Sequence, residues 1–418
     1  MNESPVATID GGVTAPRGFL AGAVSAGLRT VSTEDDLALL FSESPCMAAG
    51  LFTSSALKAA PVVLSQRNLV DGKAQAVIVN AGCANAYTGA EGYRDSEEMM
   101  RLAASQIRLA HSDVGSASKL SLSDSDVLVA STGVTGHRLP IDKIRAALPS
   151  MTLDRDGGDR FARAIMTTDT VPKQAAVAFV AGGTEYRVGG CAKGSGMIHP
   201  NLATMLAFLT TDAAVERAFL ETTLRRAADI SFQMITVDGD TSPNDALLIL
   251  ANGTAGGPML REGVDGAAQF SETVAQVCVD LAKGMARDAE GATKLIEVKV
   301  VGAKSVDDAR AAARTVAGSP LVKSAVYGND PNWGRVLAAI ARSGAVVEEE
   351  ATSLFWQGVC VFQRGCRTLS YDEEALSAAT RSDEVRIRVD LGLGSARALA
   401  WGCDLSEEYV RINSEYTT

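Results

Sequence analysis

Lys193-Gly194-Ser195-Gly196-Met197-Ile198-His199-Pro200-Asn201-Leu202-Ala203-Thr204-Met205-Leu206 is the stretch on which the reading of this 418-residue chain turns. It passes from a Gly-rich turn through a Pro-Asn turn into the apolar run Met205-Leu206-Ala207-Phe208-Leu209. Thr204 sits between a turn and a segment bound for the interior, so its hydroxyl is a candidate to attack its own preceding carbonyl. Cleavage of the Ala203–Thr204 bond in that way makes Thr204 a new N-terminus, a hydroxyl nucleophile with its own α-amine as base. Local spacing alone favours a plainer role, a helix N-cap whose hydroxyl accepts a backbone N–H. The rest of the chain decides between the two.

Length predicts two or three domains, because one core does not grow to this size. Hydrophobic residues at 46% and charged residues at 21% are ordinary for a globular protein. A net charge of −11 excludes the basic surface that nucleic acid or an anionic membrane requires. The seven cysteines (Cys46, Cys83, Cys191, Cys278, Cys360, Cys366, Cys403) include no C-x-x-C pair, so free thiols are expected rather than disulfides or zinc. His111, His137 and His199 are scattered, and no metal site is predicted. His199 reads as a turn residue; the free amine is the better base for Thr204. The apolar Gly18–Val24 lacks a basic lead-in, and no run reaches membrane-spanning length, so a cytoplasmic protein is expected.

Strand patterns recur at Gln75–Asn80, Asp126–Ser131, Ala175–Val180, Ala246–Ala251, Leu295–Val301 and Val385–Asp390. Between them, apolar spacing near 3.6 predicts helices at Val215–Ile230, Ser271–Arg287, Val306–Val316, Asn332–Arg342 and Asp372–Ala379. The alternation indicates an α/β or α+β protein of layered sheets. A domain boundary is expected after Gly291, dividing 1–291 from 292–418. The polar last residues Asn413–Thr418 read as ordered rather than as a frayed tail.

Motifs along nearly the whole chain now fall into one order. They are Lys58-Ala59-Ala60-Pro61-Val62, Ala130-Ser131-Thr132-Gly133-Val134, Ala164-Ile165-Met166-Thr167-Thr168-Asp169-Thr170 and the opening stretch. Ile235-Thr236-Val237-Asp238-Gly239-Asp240-Thr241-Ser242, Glu290-Gly291-Ala292-Thr293-Lys294-Leu295-Ile296-Glu297-Val298 and Ser319-Pro320-Leu321-Val322-Lys323 follow. Asp330-Pro331-Asn332-Trp333-Gly334-Arg335 and Tyr409–Thr418 complete the series. With these the sequence resembles the ornithine acetyltransferases, or glutamate N-acetyltransferases, of arginine biosynthesis.

The resemblance implies a layered α/β/β/α-type core with a smaller C-terminal α/β domain whose last residues return to the active site. It implies self-cleavage before Thr204 into fragments of 203 and 215 residues, assembled as an α2β2 heterotetramer. Thr204 would take an acetyl group from N2-acetylornithine, release ornithine and pass the acetyl to glutamate by a ping-pong route. A free α-amine, with a reference pKa of about 7.7–8.0, suits the base; the amide of an uncut chain does not. By the same resemblance Thr132 and Gly133, at the end of strand Asp126–Ser131, form the oxyanion hole. Thr167, Lys193, Thr204, Glu290, Asn413 and Thr418 contact substrate, with Thr168 as the alternative to Thr167. Lys193 would lower the pKa of the new amine by repulsion. Glu290 reads as closing a helix against its dipole, a placement that hints at function. Asp238, Asp240 and Asp330–Trp333 read as structural turn acids and a helix start.

No cofactor is implied, and acetyl-CoA is left open as a second acetyl donor. The chain departs from the family pattern at Asn80-Ala81-Gly82-Cys83-Ala84-Asn85-Ala86, where Asn-Ser-Gly-Asn-Ala-Asn-Ala is usual. Gln233-Met234 stands for Asn-Arg, and Pro243 for Thr. None removes a catalytic group, but the acceptor is less fixed than the chemistry. The alternatives are a secondary-metabolism acetyltransferase with another acceptor, an N-terminal-threonine amidase or peptidase, and, remotely, a scaffold in which Thr204 only caps a helix.

Overall fold

Alternation of inward and outward side chains builds the larger of two sheets from β1 (Ala7–Ile9), β2 (Phe19–Val24), β3 (Leu37–Phe52), β4 (Lys73–Cys83), β5 (Val127–Val134), β6 (Lys173–Ala181), β7 (Thr184–Lys193), β8 (Leu206–Thr211) and β9 (Ala246–Ala251). The computed structural model describes residues 6–29, 34–112, 121–199 and 205–415, with backbone alone at 111–112. The strand order is β1-β6-β7-β8-β9-β3-β4-β5, with β2 also paired to β3. The helices of this part are α1 (Ala60–Asn68), α2 (Gly89–Ser112), α3 (Ile141–Ala147), α4 (Gly158–Ala164), α5 (Arg217–Ile230) and α6 (Ala267–Arg287).

The long strand β3 explains the layering. Its first half, Leu37–Phe41, pairs with β4, its second half, Met47–Phe52, pairs with β9, and the register shifts between Phe41 and Cys46. One strand therefore belongs to both halves of a folded sheet. Inside the fold, Leu40, Val77, Val79 and Leu128 share a core with Cys191, Phe208 and Leu248, and the Phe161 ring of α4 meets Phe208 edge-on at 5.5 Å. The alternate residues face out: Leu39, Ile78 and Val129 pack against Met99, Ala103 and Ile107 of α2. On the other outer face Phe179, Leu209 and Ile249 pack against Leu220 and Leu224 of α5 and Phe270, Val274 and Leu281 of α6. Helix, sheet, sheet and helix follow from period-two strands buried on both faces.

The smaller sheet comprises β10 (Leu295–Ala303), β11 (Ser353–Trp356), β12 (Val359–Gln363), β13 (Cys366–Arg367), β14 (Glu384–Asp390) and β15 (Ala396–Cys403), in the order β13-β12-β11-β14-β10-β15. With it run α7 (Val306–Ala317), α8 (Pro320–Tyr327), α9 (Trp333–Ala341), α10 (Glu373–Ala379) and α11 (Glu407–Glu415). Its apolar residues join the α5/α6 layer in one continuous cluster. Thr236 N donates to Trp401 O at 3.0 Å across the join.

The mixed α/β class is as expected, and the predicted strand Ala246–Ala251 keeps both its bounds. Asn332 caps α9, its side chain accepting from Arg335 N, in keeping with a helix start there. All seven cysteines are free thiols. Three local readings are corrected. Leu206–Thr211 is a strand, so no helix begins where a Thr204 N-cap would need one. The α6 helix stops at Arg287, with Asp288 as its C-cap, because Gly291 at φ +68° and the turn before it leave helical geometry. Glu290 therefore lies beyond the helix rather than closing it. Finally, Thr132 and Gly133 do not follow their strand but lie within β5, which runs on to Val134.

Candidate functional site

Thr132 and Gly133 pair with Ala81 and Gly82 across the parallel β4–β5 ladder. Gly133 is at φ +124°, and a Cβ there would overlap the Gly82 backbone, so only glycine fits. Lys193 ends β7, opposite Leu206 of β8, and is 2% exposed. Its Nζ donates to Thr167 Oγ1 at 2.8 Å and to Thr132 Oγ1 at 3.3 Å. The neighbouring Thr168 hydroxyl turns instead to Ser195 Oγ at 2.7 Å. Burial pulls the Lys193 pKa down, and the charge of Asp169 opposes that pull.

Asp169, within the motif Ala164–Thr170, is a functional neighbour that the motif alone does not single out. It is buried beneath Lys193, with Oδ2 3.9 Å from Nζ. Gly194 N donates to its Oδ1 at 2.8 Å, Thr167 N to its Oδ2 at 3.0 Å, and Lys173 Nζ pairs with Oδ1 at 2.5 Å. Burial alone would raise its pKa, but Lys193 and Lys173 outweigh burial and hold it at about 2. Lys173 also pairs with Asp288 at 2.5 Å, so two buried lysines and two aspartates balance one another.

Glu290 approaches from beyond α6. Its backbone N donates to Ser195 O at 2.9 Å. Its carboxylate lies against Gly196 so closely that a Cβ there would overlap it. Asn413 of α11 donates from Nδ2 to Glu290 Oε2 at 2.9 Å. Asp238 is more than a turn residue: its carboxylate accepts from Met197 N at 2.6 Å, Ile198 N at 3.0 Å and Tyr409 Oη at 3.2 Å. It thereby ties α11 to the loop ahead of Thr204 and holds Met197, a non-glycine, at φ +54°.

Among these groups lies a cavity of about 90 Å³, room for several waters or a small acyl group. Thr132, Gly133, Thr167, Thr168, Lys193, Glu290 and Asn413 all reach it. Ser242, Pro243 and Asn244, on the turn into β9, close it. Of the departures from the family pattern, Pro243 touches the cavity, and it takes a backbone N–H out of the wall. Cys83 instead donates through Sγ to His137 O at 3.4 Å. Ala203, Thr204, Thr418 and the Pro200-Asn201 turn lie outside the described residues. At the start of the run that follows Thr204, Met205 N donates to Asp245 Oδ1 at 2.9 Å, and burial raises the Asp245 pKa well above its ordinary value. His199 Nδ1 lies 3.2 Å from Thr236 Oγ1, and burial followed by Arg314 lowers its pKa.

Chemically, the cavity offers hydroxyl, backbone and ammonium donors on one side and a carboxylate on the other. A buried cation bonded to Thr132 makes that hydroxyl a stronger donor toward negative charge. Charges of both signs suit an amino-acid substrate. Among the described residues no group of three or more His, Cys, Asp or Glu is placed to hold a metal ion, and no helix is long and apolar enough to cross a membrane.

Comparison with known proteins gives a consistent picture. The sequence profile of the ArgJ family matches residues 20–418. An arginine biosynthesis bifunctional protein ArgJ of Dehalococcoides mccartyi is 49% identical over 410 residues, 98% of each chain. Its counterpart in Symbiobacterium thermophilum is 49% identical over 411 residues, 98% of this chain and 99% of the other. Among solved structures, an ornithine acetyltransferase of Mycobacterium tuberculosis complexed with ornithine is 41% identical, with a TM-score of 0.41; the match covers 47% of this chain and 98% of that one.

Proposed function

The chain belongs to the ArgJ family and is an acyltransferase of arginine biosynthesis, and from that premise we propose that it carries acetyl from N2-acetylornithine to glutamate on Thr204. The chain first cuts itself between Ala203 and Thr204, freeing the α-amine that serves as base. The Thr204 hydroxyl then adds to the acyl carbon. Its Oγ–C bond forms as the C–N bond breaks, and its proton passes through the α-amine to the departing nitrogen of ornithine. Glutamate's amine next attacks the acetyl ester, forming C–N, breaking C–Oγ and returning a proton to Oγ.

Thr132 and Gly133 stabilise the oxyanion, reinforced by the Lys193 charge. One such donor contributes on the order of 2.7–4 kcal/mol in the transition state. Thr167, Lys193, Glu290, Asn413 and Thr418 hold the charged ends of the two amino acids. The observation that carries this reading is convergence: residues drawn from β5, the loop before β6, the end of β7, the turn after α6 and α11 share one small cavity. The reading extends to two copies of each fragment per particle, and to acetyl-CoA as a donor to be tried beside acetylornithine.

Mass spectrometry tests it. Incubation with N2-acetylornithine should leave one acetyl on the fragment beginning at Thr204, and added glutamate should remove it as N-acetylglutamate. Acetate release that ignores glutamate would make the protein an amidase instead. A single uncut chain of 43.5 kDa with full turnover would remove the mechanism altogether.

A further inference from the structure

Asn244 is the one residue of the cavity wall, among the described residues, with a buried side-chain atom lacking any hydrogen-bond partner. The residue is 6% exposed. Its Nδ2 donates to Ala84 O at 2.7 Å and to Ser131 O at 2.9 Å. Both partners only accept, so the amide's orientation is settled: nitrogen faces the two carbonyls and Oδ1 is the unused end. Ser131 directly precedes Thr132, which fixes Asn244 to the strand ends that carry the oxyanion donors. A buried acceptor left without a donor is costly, and native interiors seldom keep one unless a ligand or water meets it.

We propose that Asn244 Oδ1 accepts the N–H of the substrate's scissile amide and so selects an acylated amine over an oxygen ester of the same acyl group. The inference rests on the acyl-transfer reading above. Thr132, Gly133 and Lys193 are donors and suit the carbonyl oxygen, while the Glu290 carboxylate is engaged by Asn413. The amide N–H therefore finds its neutral acceptor in Asn244. During transfer to Thr204 the contact keeps that hydrogen in place, so the nitrogen's lone pair turns toward the incoming proton as C–N breaks. In the return step the same oxygen takes one N–H of the attacking amine and aims its lone pair at the acetyl carbon. An ester oxygen offers no hydrogen and sets two acceptors face to face.

A matched pair of donors tests this: N2-acetylornithine and its oxygen analogue, 2-acetoxy-5-aminopentanoate, which differ by NH against O. Acetylation of the Thr204 fragment is timed without glutamate for wild-type protein and for Asn244→Ser. The expected result is a loss of about 10- to 100-fold in kcat/KM for the amide, with the ester changed less than about 3-fold. Asn244→Thr, bulkier and able to donate to one carbonyl, reads the same ratio should the serine variant not fold. Equal losses on both donors, or none on either, overturn the Asn244 assignment and leave the functional reading standing. Wild-type protein acetylated by neither donor overturns that reading and this inference with it.

Discussion

Two walls of the same cavity are built by different physics. Thr132, Gly133 and Lys193 belong to strands, and their backbones are fixed by ladder bonds to β4 and β8. Asn413 rides on α11, a helix with no buried residue, attached near the cavity by side-chain bonds from Asn413 to Glu290 and from Tyr409 to Asp238. Moving the first wall breaks many backbone bonds together; lifting the second breaks a few, each worth about 0.5–1.5 kcal/mol. The difference divides labour. Under the proposed mechanism, donors that would face developing charge are preorganised, while the contacts proposed for the amino-acid ends can yield to admit two substrates in turn.

The strand wall should break hardest at Asp169. Asp169→Asn leaves Lys173 and Lys193 short of a buried anion and should lower stability by about 3–5 kcal/mol, read from denaturant melts at neutral pH. The sign with pH follows from a folded pKa held below the ordinary 3.8, at about 2. The stabilisation is full above about pH 4 and is lost as pH falls through 2. Wild-type protein should therefore weaken in that window while Asp169→Asn shows a flatter curve. A parallel fall in both proteins would mean that the lysines are not balanced by Asp169.

Thr132→Ala comes next, with a predicted loss of about 10²–10³ in kcat and little change in KM, the outcome that the proposed oxyanion role requires. Asn413→Ala should do the reverse: KM for glutamate up by about 10-fold, with kcat held within about 3-fold. Steady-state kinetics on the two variants separates the walls. If both lower kcat alike, α11 takes part in the chemistry and the division fails.

How much of this was legible beforehand differs between the walls too. Strands with clean alternation, such as Ala246–Ala251, and helices with regular spacing, such as α5, could be read directly. The longest helix, α2, escaped because its buried stripe is small or flexible (Met99, Met100, Ala103, Ala104, Ile107) and it opens Gly-Ala-Glu-Gly. The long strand β3 escaped because Ser42-Glu43-Ser44-Pro45 interrupts it where it passes between sheet halves. Thr132, Thr167, Lys193, Glu290 and Asn413 are singled out by family motifs, since local pattern alone makes Thr132 a strand-to-turn junction and Glu290 a helix end. Asn244 and Asp245 acquire meaning from partners distant in the chain, and Asp169 does so through Lys193 and Gly194. Asn244 is 113 residues from Ser131, and no local pattern encodes that contact.

Tyr409 offers the mildest and most discriminating test of the strap. Its hydroxyl is one of four donors on Asp238, beside Met197 N, Ile198 N and Asp240 N, so Tyr409→Phe should cost only about 0.5–1.5 kcal/mol. Because α11 contributes no buried residue, that loss should appear locally, as faster amide exchange along Glu407–Glu415, with little change in the global melt. KM for glutamate should rise about 2- to 3-fold through Asn413, while acetylation of Thr204 by an ester donor keeps its rate. If that acetylation slows instead, Asp238 transmits the state of α11 to the Met197–Ile198 loop, and the two walls move as one.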